Sequence, residues 1–200
     1  MRSVAAALDT GPASLYVYVA NRDELQRRIV DRVIGEIPLP AGDRPWRDEL
    51  TDLMRDAVRT FVGHPGVARF LLGRIPYGPN ALRLIDAMLA VLARGGIPGD
   101  VAGLGIDLLA LYINAQAIEA EMWIAEDVDT GDGELENVTA AFTDIDAQRL
   151  PALAAMWPQL VAGDGDVRFE YGLQVLIDGI VAQSAIPAAA PPLFPAPDSA

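Results

Sequence analysis

An all-helical chain is predicted by three observations. Apolar residues recur at three- and four-residue spacing through most of the sequence, no strand-like alternation of convincing length occurs, and glycine or proline clusters cut the periodic runs into helix-sized segments. Of the 200 residues 52% are apolar, enough for a packed core, and the length suits a small domain docked on a larger one. Met1–Leu8 reads as a first helix with Val4, Ala5 and Leu8 on one face, ended by Asp9-Thr10-Gly11. Pro12 stands where the first position of a helix tolerates proline, so a second short helix is expected over Pro12–Tyr18. Asn21 is a good N-cap for a third, with Asp23 and Glu24 in its first turn and Leu25, Ile29 and Val33 spaced to face a core. Pro38-Leu39-Pro40-Ala41-Gly42 then forms a linker.

Beyond the linker, Trp46, Leu50, Leu53, Ala57 and Phe61 define the apolar stripe of a helix over Trp46–Val62. Gly63-His64-Pro65 stops it and opens a short helix to about Leu72. Tyr77-Gly78-Pro79-Asn80 is a turn, and Ala81–Arg94 is helical up to Gly95-Gly96. A long, almost wholly apolar helix is expected from about Asp100 to Ala125. Asp107, Asn114 and Gln116 within it mark a buried helix and not a membrane span. Glu126–Glu136 holds six acids and no base; it looks like a calcium loop, but Gly131 stands where the third ligand belongs, so a solvated loop is expected. Val138–Ile145 and Leu150–Leu160 read as shorter helices and Val167–Ala185 as a final long one. The tail 187–200, with five prolines in fourteen residues, is expected to be disordered.

Composition narrows the function. With no cysteine and a single histidine, His64, thiolate zinc sites, cysteine nucleophiles and multi-histidine metal sites are excluded, and no metal or cofactor is expected. No secretory signal is evident, which points to the cytoplasm, with no membrane partner. The net charge of −13 argues against a protein that coats nucleic acid over its whole surface. The deficit is uneven: residues 1–36 balance five arginines against five acids, and the remainder holds ten arginines against 23 acids. All fifteen basic residues are arginine.

A helix, a tight turn containing glycine and a second short helix form a helix-turn-helix, whose second helix enters the DNA major groove. The wording is more specific than the spacing: Val4-Ala5-Ala6-Ala7-Leu8, then Ala13-Ser14-Leu15-Tyr16-Val17-Tyr18-Val19, then Asn21-Arg22-Asp23-Glu24-Leu25. This resembles the signature of the TetR family of transcriptional regulators. Tyr18 stands where histidine is usual, Arg22 where lysine is usual and Asp9 where glycine is common. Phe61–Pro65 and the stretches Phe169-Glu170-Tyr171-Gly172-Leu173 and Ile177-Asp178-Gly179 resemble later parts of the family less specifically.

The resemblance implies a ligand-responsive repressor, homodimeric, released from double-stranded operator DNA by a small and largely apolar molecule. It implies a helix-turn-helix domain over 1–36 and a helical effector-binding and dimerisation domain over 43–186. Ser14, Tyr16 and Tyr18 would then face phosphates or base edges, Arg22 would hold a phosphate, and Arg2 would read a guanine. The bland alternative packs Tyr16 in the small core and leaves Arg22 as a solvated charge. The family domain has one helix before the motif. Without that cover Val4, Leu8, Leu15 and Leu25 are expected to be exposed, each forfeiting about 1.5 to 3 kcal/mol, and the N-terminus is expected to be mobile.

Polar residues on the apolar middle helices are the candidates for effector contacts: His64, Arg69, Asn80, Arg83, Asp86, Tyr112, Asn114, Gln116, Glu119 and Trp123. Each has an ordinary alternative as a helix stop, a satisfied core group or a surface charge. On the last helix Gly172 and Gly179, beside Leu176 and Ile180, suit close approach of a partner helix, with Gly103, Ala110 and Ala117 of the long helix as companions. An internal helix contact is the alternative. Two other functions stay open: a ligand-binding helical dimer that has lost DNA binding, and an enzyme resting on carboxylates such as Asp86 or Glu119, which nothing pairs. The chain is expected not to be an enzyme.

Overall fold

In the computed structural model, residues 1–129, 140, 142, 145–160 and 162–183 are described. Their helices are α1 (Arg2–Ala7), α2 (Pro12–Leu15), α3 (Arg22–Ile34), α4 (Trp46–Val62), α5 (Val67–Leu71), α6 (Pro79–Arg94), α7 (Gly99–Asp129), α8 (Pro151–Leu160) and α9 (Gly165–Ala182). The described residues contain no strand. The acidic loop lies largely, and the expected helix over 138–145 and the tail 187–200 lie wholly or mostly, outside the described residues.

Helix α7 is the axis of the fold, packing against α4, α5, α6 and α9. Its stretch Gly99–Ile124 is long and apolar enough to cross a membrane, but Leu109, Ile113 and Ala117 are buried against those neighbours, as in the core helix of a globular domain. Helix α4 ends where expected because Pro45 precedes it and Gly63 closes it. Its stripe Leu50, Leu53, Met54, Ala57 and Phe61 is buried in a single core with Val91 and Leu92 of α6 and Leu173, Ile177 and Ile180 of α9. Two ion pairs tie α9 to α4. Arg55 forks onto both oxygens of Glu170 at 2.5 and 2.8 Å, and Arg47 meets Asp178 at 2.7 Å.

The linker before α4 is held by a buried carboxylate. Glu49 accepts the backbone N–H groups of Gly42, Asp43 and Arg44 at 2.8, 3.1 and 3.3 Å and pairs with Arg94 at the end of α6. The guanidinium of Arg94, and then the linker amides, hold this carboxyl below its ordinary value against the opposing effect of burial. A charge so enclosed persists because all its acceptor capacity is used.

Three expectations are corrected. Helix α2 stops at Leu15, and Tyr16–Tyr18 form turns, with Tyr18 and Val19 donating to the Leu15 carbonyl at 3.0 and 3.1 Å. β-Branched and aromatic residues lose rotamer freedom in a helix, and these side chains are exposed, so no burial offsets the loss. On α3 the buried stripe is Val30, Val33 and Ile34, continued by Ile37, while Ile29 is exposed about a quarter-turn away. Leu15 and Leu25 are half-buried, and only Val4 and Leu8 of the four expected to lack cover are exposed. The second half of α3 thus belongs to the main core, although in sequence it precedes the linker.

Candidate DNA-reading and effector sites

At the N-terminal end the helix-turn-helix geometry follows from local chemistry. Asp9 adopts a φ of 49°, the left-handed region where glycine is at ease, and Thr10 returns an N–H to the Ala5 carbonyl at 3.0 Å. Ala5 is buried, allowing α1 to cross α2 closely. Gly11 and Pro12 open α2. Asn21 caps α3 by accepting from Glu24 N at 2.8 Å, and Glu24 reaches back to Ala20 N at 2.6 Å, a reciprocal pair that fixes how the chain enters α3. That backbone contact, and then Arg28, hold the Glu24 carboxyl below its ordinary value.

On this frame Arg2 starts α1, Ser14 lies in α2, Tyr16 and Tyr18 occupy the turn behind it and Arg22 is the first residue of α3. All five are exposed, and none makes a side-chain hydrogen bond or ion pair among the described residues. Tyr16, 52% exposed, is therefore not a core residue of this unit. Arg27 and Arg28, by contrast, are engaged by Asp23 and Glu24 one turn earlier.

In the larger unit a cleft of about 750 Å³ opens between α4, the second half of α7, the end of α8 and the start of α9. Val58, Trp123, Leu160 and Phe169 supply apolar wall, and Arg55, Arg59, Gln116 and Glu119 supply polar groups. Three of the ten expected effector residues, Gln116, Glu119 and Trp123, meet here; they fall on one stripe of α7 at three- and four-residue spacing. Tyr112, a turn earlier, does not line the cleft but supports it. Its ring stacks on Phe169 at 5.8 Å between centroids, and its hydroxyl donates to the Phe169 carbonyl at 2.9 Å. Burial, and then Glu119 and Glu170, push its hydroxyl pKa up, keeping it a donor. Glu170 holds the Arg55 guanidinium firmly in its charged form.

The other candidates lie elsewhere, each for a physical reason. His64 is spent at the end of α4, its Nδ1 2.9 Å from the Thr60 carbonyl and its Nε2 3.5 Å from Glu36. Asn80 begins α6 and is bound by Asp31 of α3. Arg69, Arg83 and Asp86 point outward into solvent. Asn114 is buried in the core, and its Oδ1 has no hydrogen-bond partner among the described residues. Arg55, Arg59 and Phe169 also line the cleft without having been expected there; the two arginines, four residues apart on the polar edge of α4, were the readable signal.

Of the four residues expected at a dimer face, two are engaged within the chain. A Cβ on Gly172 would run into the Tyr112 hydroxyl, and Ile180 is buried against Gly105, 3.1 Å from where a Cβ there would stand. Both serve contact of α9 with α7 inside one chain, and Ala117 is buried in the core. Leu176 is half-buried, and only Gly179 of the four is exposed with open space before it. The outward stripes are Leu104, Leu108, Leu111 and Ala115 on α7 and Tyr171, Val175 and Ala182 on α9.

Known proteins share this arrangement. Residues 38–184 match the family described as "Tetracyclin repressor-like, C-terminal domain". An HTH-type transcriptional regulator of Saccharopolyspora erythraea is 30% identical over 188 residues, covering 93% of this chain and 77% of the relative. The HTH-type transcriptional repressor DrrR1 of Streptomyces coeruleorubidus is 28% identical over 197 residues, covering 90% and 68%. Among solved structures, apo ActR from Streptomyces coelicolor superposes with a TM-score of 0.81 at 30% identity, covering 90% of this chain and 84% of that one. ActR in complex with actinorhodin gives 0.79 at 31% identity, covering 91% and 86%. A helix-turn-helix at one end, a helical body with a cleft and a family match spanning most of that body agree: this chain belongs to the TetR family of transcriptional regulators.

Proposed function

We propose that this chain is a cytoplasmic, non-enzymatic repressor that grips operator DNA through residues 1–36 and lets go when a small molecule fills the cleft of the body, residues 43–186. The observation that carries this reading is the pairing of two features in one chain: an exposed, uncommitted set of Ser14, Tyr16, Tyr18 and Arg22, and a cleft of about 750 Å³ in a fold shared with a protein captured with its ligand. Tyrosine hydroxyls and an arginine at the start of α3 suit phosphate contacts, and α2 presents its side chains to the groove. The effector class that suits the cleft is planar and aromatic with polar substituents. Trp123 and Phe169 offer flat faces, and Arg59 and Gln116 offer donors at the edge. Actinorhodin, bound by ActR, is a compound to try first.

A homodimer fits the outward stripes on α7 and α9, where Leu104, Leu108, Leu111, Tyr171 and Val175 are all exposed on helices already packed together. Pairing two such faces makes a four-helix interface, and the spacing of the two α2 helices then selects grooves about 34 Å apart. Effector binding acts by favouring a spacing that no longer fits.

The test is a gel shift with the intergenic DNA beside the gene, with and without aromatic effectors. A salt-sensitive, sequence-specific shift that actinorhodin or a related compound reverses is expected. No specific shift sinks the DNA-binding reading. The second reading, a ligand-binding dimer without DNA, is favoured by the zero net charge of residues 1–36; ligand binding with no salt-dependent DNA affinity would establish it.

A further inference from the structure

A second cavity, of about 630 Å³, lies between α3 and the segment that joins α5 to α6, and it shares no lining residue with the cleft beside α8 and α9. Its volume is that of a site for a small organic molecule. Part of the lining is core: Val30 and Ile34 of α3 and Leu71 of α5 are buried and continuous with the main apolar cluster. The rest of the apolar lining is not covered. Phe70 is half-buried, Tyr77 is 63% exposed and Ile75 is 86% exposed. Large side chains left in water at the mouth of a cavity gain from any apolar body laid over them.

The polar lining is lopsided in charge. Arg27, Arg28, Arg32 and Arg74 stand against one carboxylate, Asp31, in a chain whose net charge is −13. Asp31 is already consumed, accepting from Asn80 N at 3.1 Å, Ala81 N at 3.0 Å and Asn80 Nδ2 at 3.1 Å. Two acids from the start of α3 reach the arginines from outside the lining: Asp23 pairs with Arg27 at 2.5 Å and with Arg74 at 3.2 Å, and Glu24 pairs with Arg28 at 2.5 Å. These contacts do not exhaust the donors, because a guanidinium carries more N–H groups than one carboxylate oxygen takes. Arg28 and Arg74 each commit a single terminal nitrogen to a carboxylate, and Arg32 makes no hydrogen bond or ion pair among the described residues. Arg28 and Arg32 are four residues apart and so share a face of α3. Across the cavity the Arg74 guanidinium lies 4.5 Å from the Phe70 ring centroid, which brings charge and apolar surface to one point.

We propose that this cavity is a second small-molecule site, for an amphipathic organic anion. The ligand is an aryl or acyl carboxylate whose apolar body covers Ile75, Phe70 and Tyr77 and whose carboxylate takes the open donors of Arg32 and Arg28. A planar carboxylate matches the fork of a guanidinium, and the apolar body answers the uncovered wall. Neither half suffices alone. A neutral apolar molecule leaves the arginine donors unused, and an inorganic anion or a DNA phosphate leaves Ile75 in water. Occupancy of this site does not require a ligand in the cleft.

Cinnamate and cinnamyl alcohol, which share one body and differ in charge, test this on the isotope-labelled full chain, with the amide resonances followed through each titration. Cinnamate should give saturable shifts at residues 28–34 and 70–77. Arg32→Gln, at an exposed position, should raise the midpoint of that titration about tenfold, the factor that loss of one charge-assisted hydrogen bond brings. Ile75→Glu, at an exposed side chain, should remove the shifts by placing a like charge where the ligand lies. Cinnamyl alcohol should bind about tenfold more weakly than cinnamate and be indifferent to Arg32→Gln. The proposal is overturned by shifts confined to residues 116–123 of the cleft, by no saturable shift at all, by an Arg32→Gln titration that matches the unaltered chain, or by equal affinity for acid and alcohol.

Discussion

Helix α4 and the pair α1–α2 are both written with apolar stripes, yet they meet opposite fates. In α4 the side chains of Leu50, Leu53, Met54 and Ala57 are at most 2% exposed. Before α3, Leu8 is 63% exposed, Val17 79% and Tyr18 75%, and among the residues described there only Ala5 and Val19 are buried. The difference lies not in the residues but in what covers them: α4 has α6 and α7 against it, whereas α1 and α2 pack on each other. Stability therefore resides in the body, and the end proposed to read DNA is held by caps and turns with little buried area. Such a division suits a regulator, since the part that must reorient belongs at the low-stability end of the molecule.

Substitutions can break this contrast in order of size. Leu50→Ala should cost about 2–5 kcal/mol in denaturant unfolding because it opens a cavity in the core, whereas Val17→Ala should stay within about 0.5 kcal/mol. Equal losses at the two sites would abolish the distinction. Acid should act next, and on the body. The Glu49 carboxyl is held below its ordinary value of 4.5 in the folded chain, so its contribution is complete above that pH and is lost as pH falls through the lowered value. Glu49→Gln should be less stable at neutral pH and flatter through the acid range; a parallel acid profile would show that the carboxylate is not responsible. The smallest expected effect is at the N-terminal unit, where Asn21→Ala removes a cap worth about 1 kcal/mol and should speed exchange of the Glu24 amide before global unfolding changes.

The same contrast explains what the sequence made legible. Helices of the body announced themselves because strong periodicity coincided with hard stops: Pro45 and Gly63 bracket α4, and Gly95-Gly96 ends α6. At α2 the family wording located the element, but its length was overestimated because the benefit of continuing a helix through Tyr16-Val17-Tyr18 depends on cover that this end does not have. The residues lining the cleft were legible only where three fell on one stripe of α7. His64 and Asn80 are polar residues beside apolar runs, as ligand contacts are, but both are consumed in finishing a helix or starting one. Of the residues expected at a dimer face, Gly172 and Ile180 are engaged inside the chain. Gly172 invited a partner helix, and the partner is Tyr112 of the same chain.

The position of Trp123 has an optical consequence. The chain has three tryptophans. Trp46 is packed against the backbone of Gly95, Trp157 is stacked on Phe142 at 6.1 Å, and Trp123 stands in the cleft at 59% exposure. An indole in water emits to the red and is readily quenched, while one covered by an aromatic guest shifts to the blue or transfers its excitation to that guest. The cleft thus contains its own fluorophore, and a compound library can be screened against the unlabelled protein by emission alone, with Trp123→Phe as the blank.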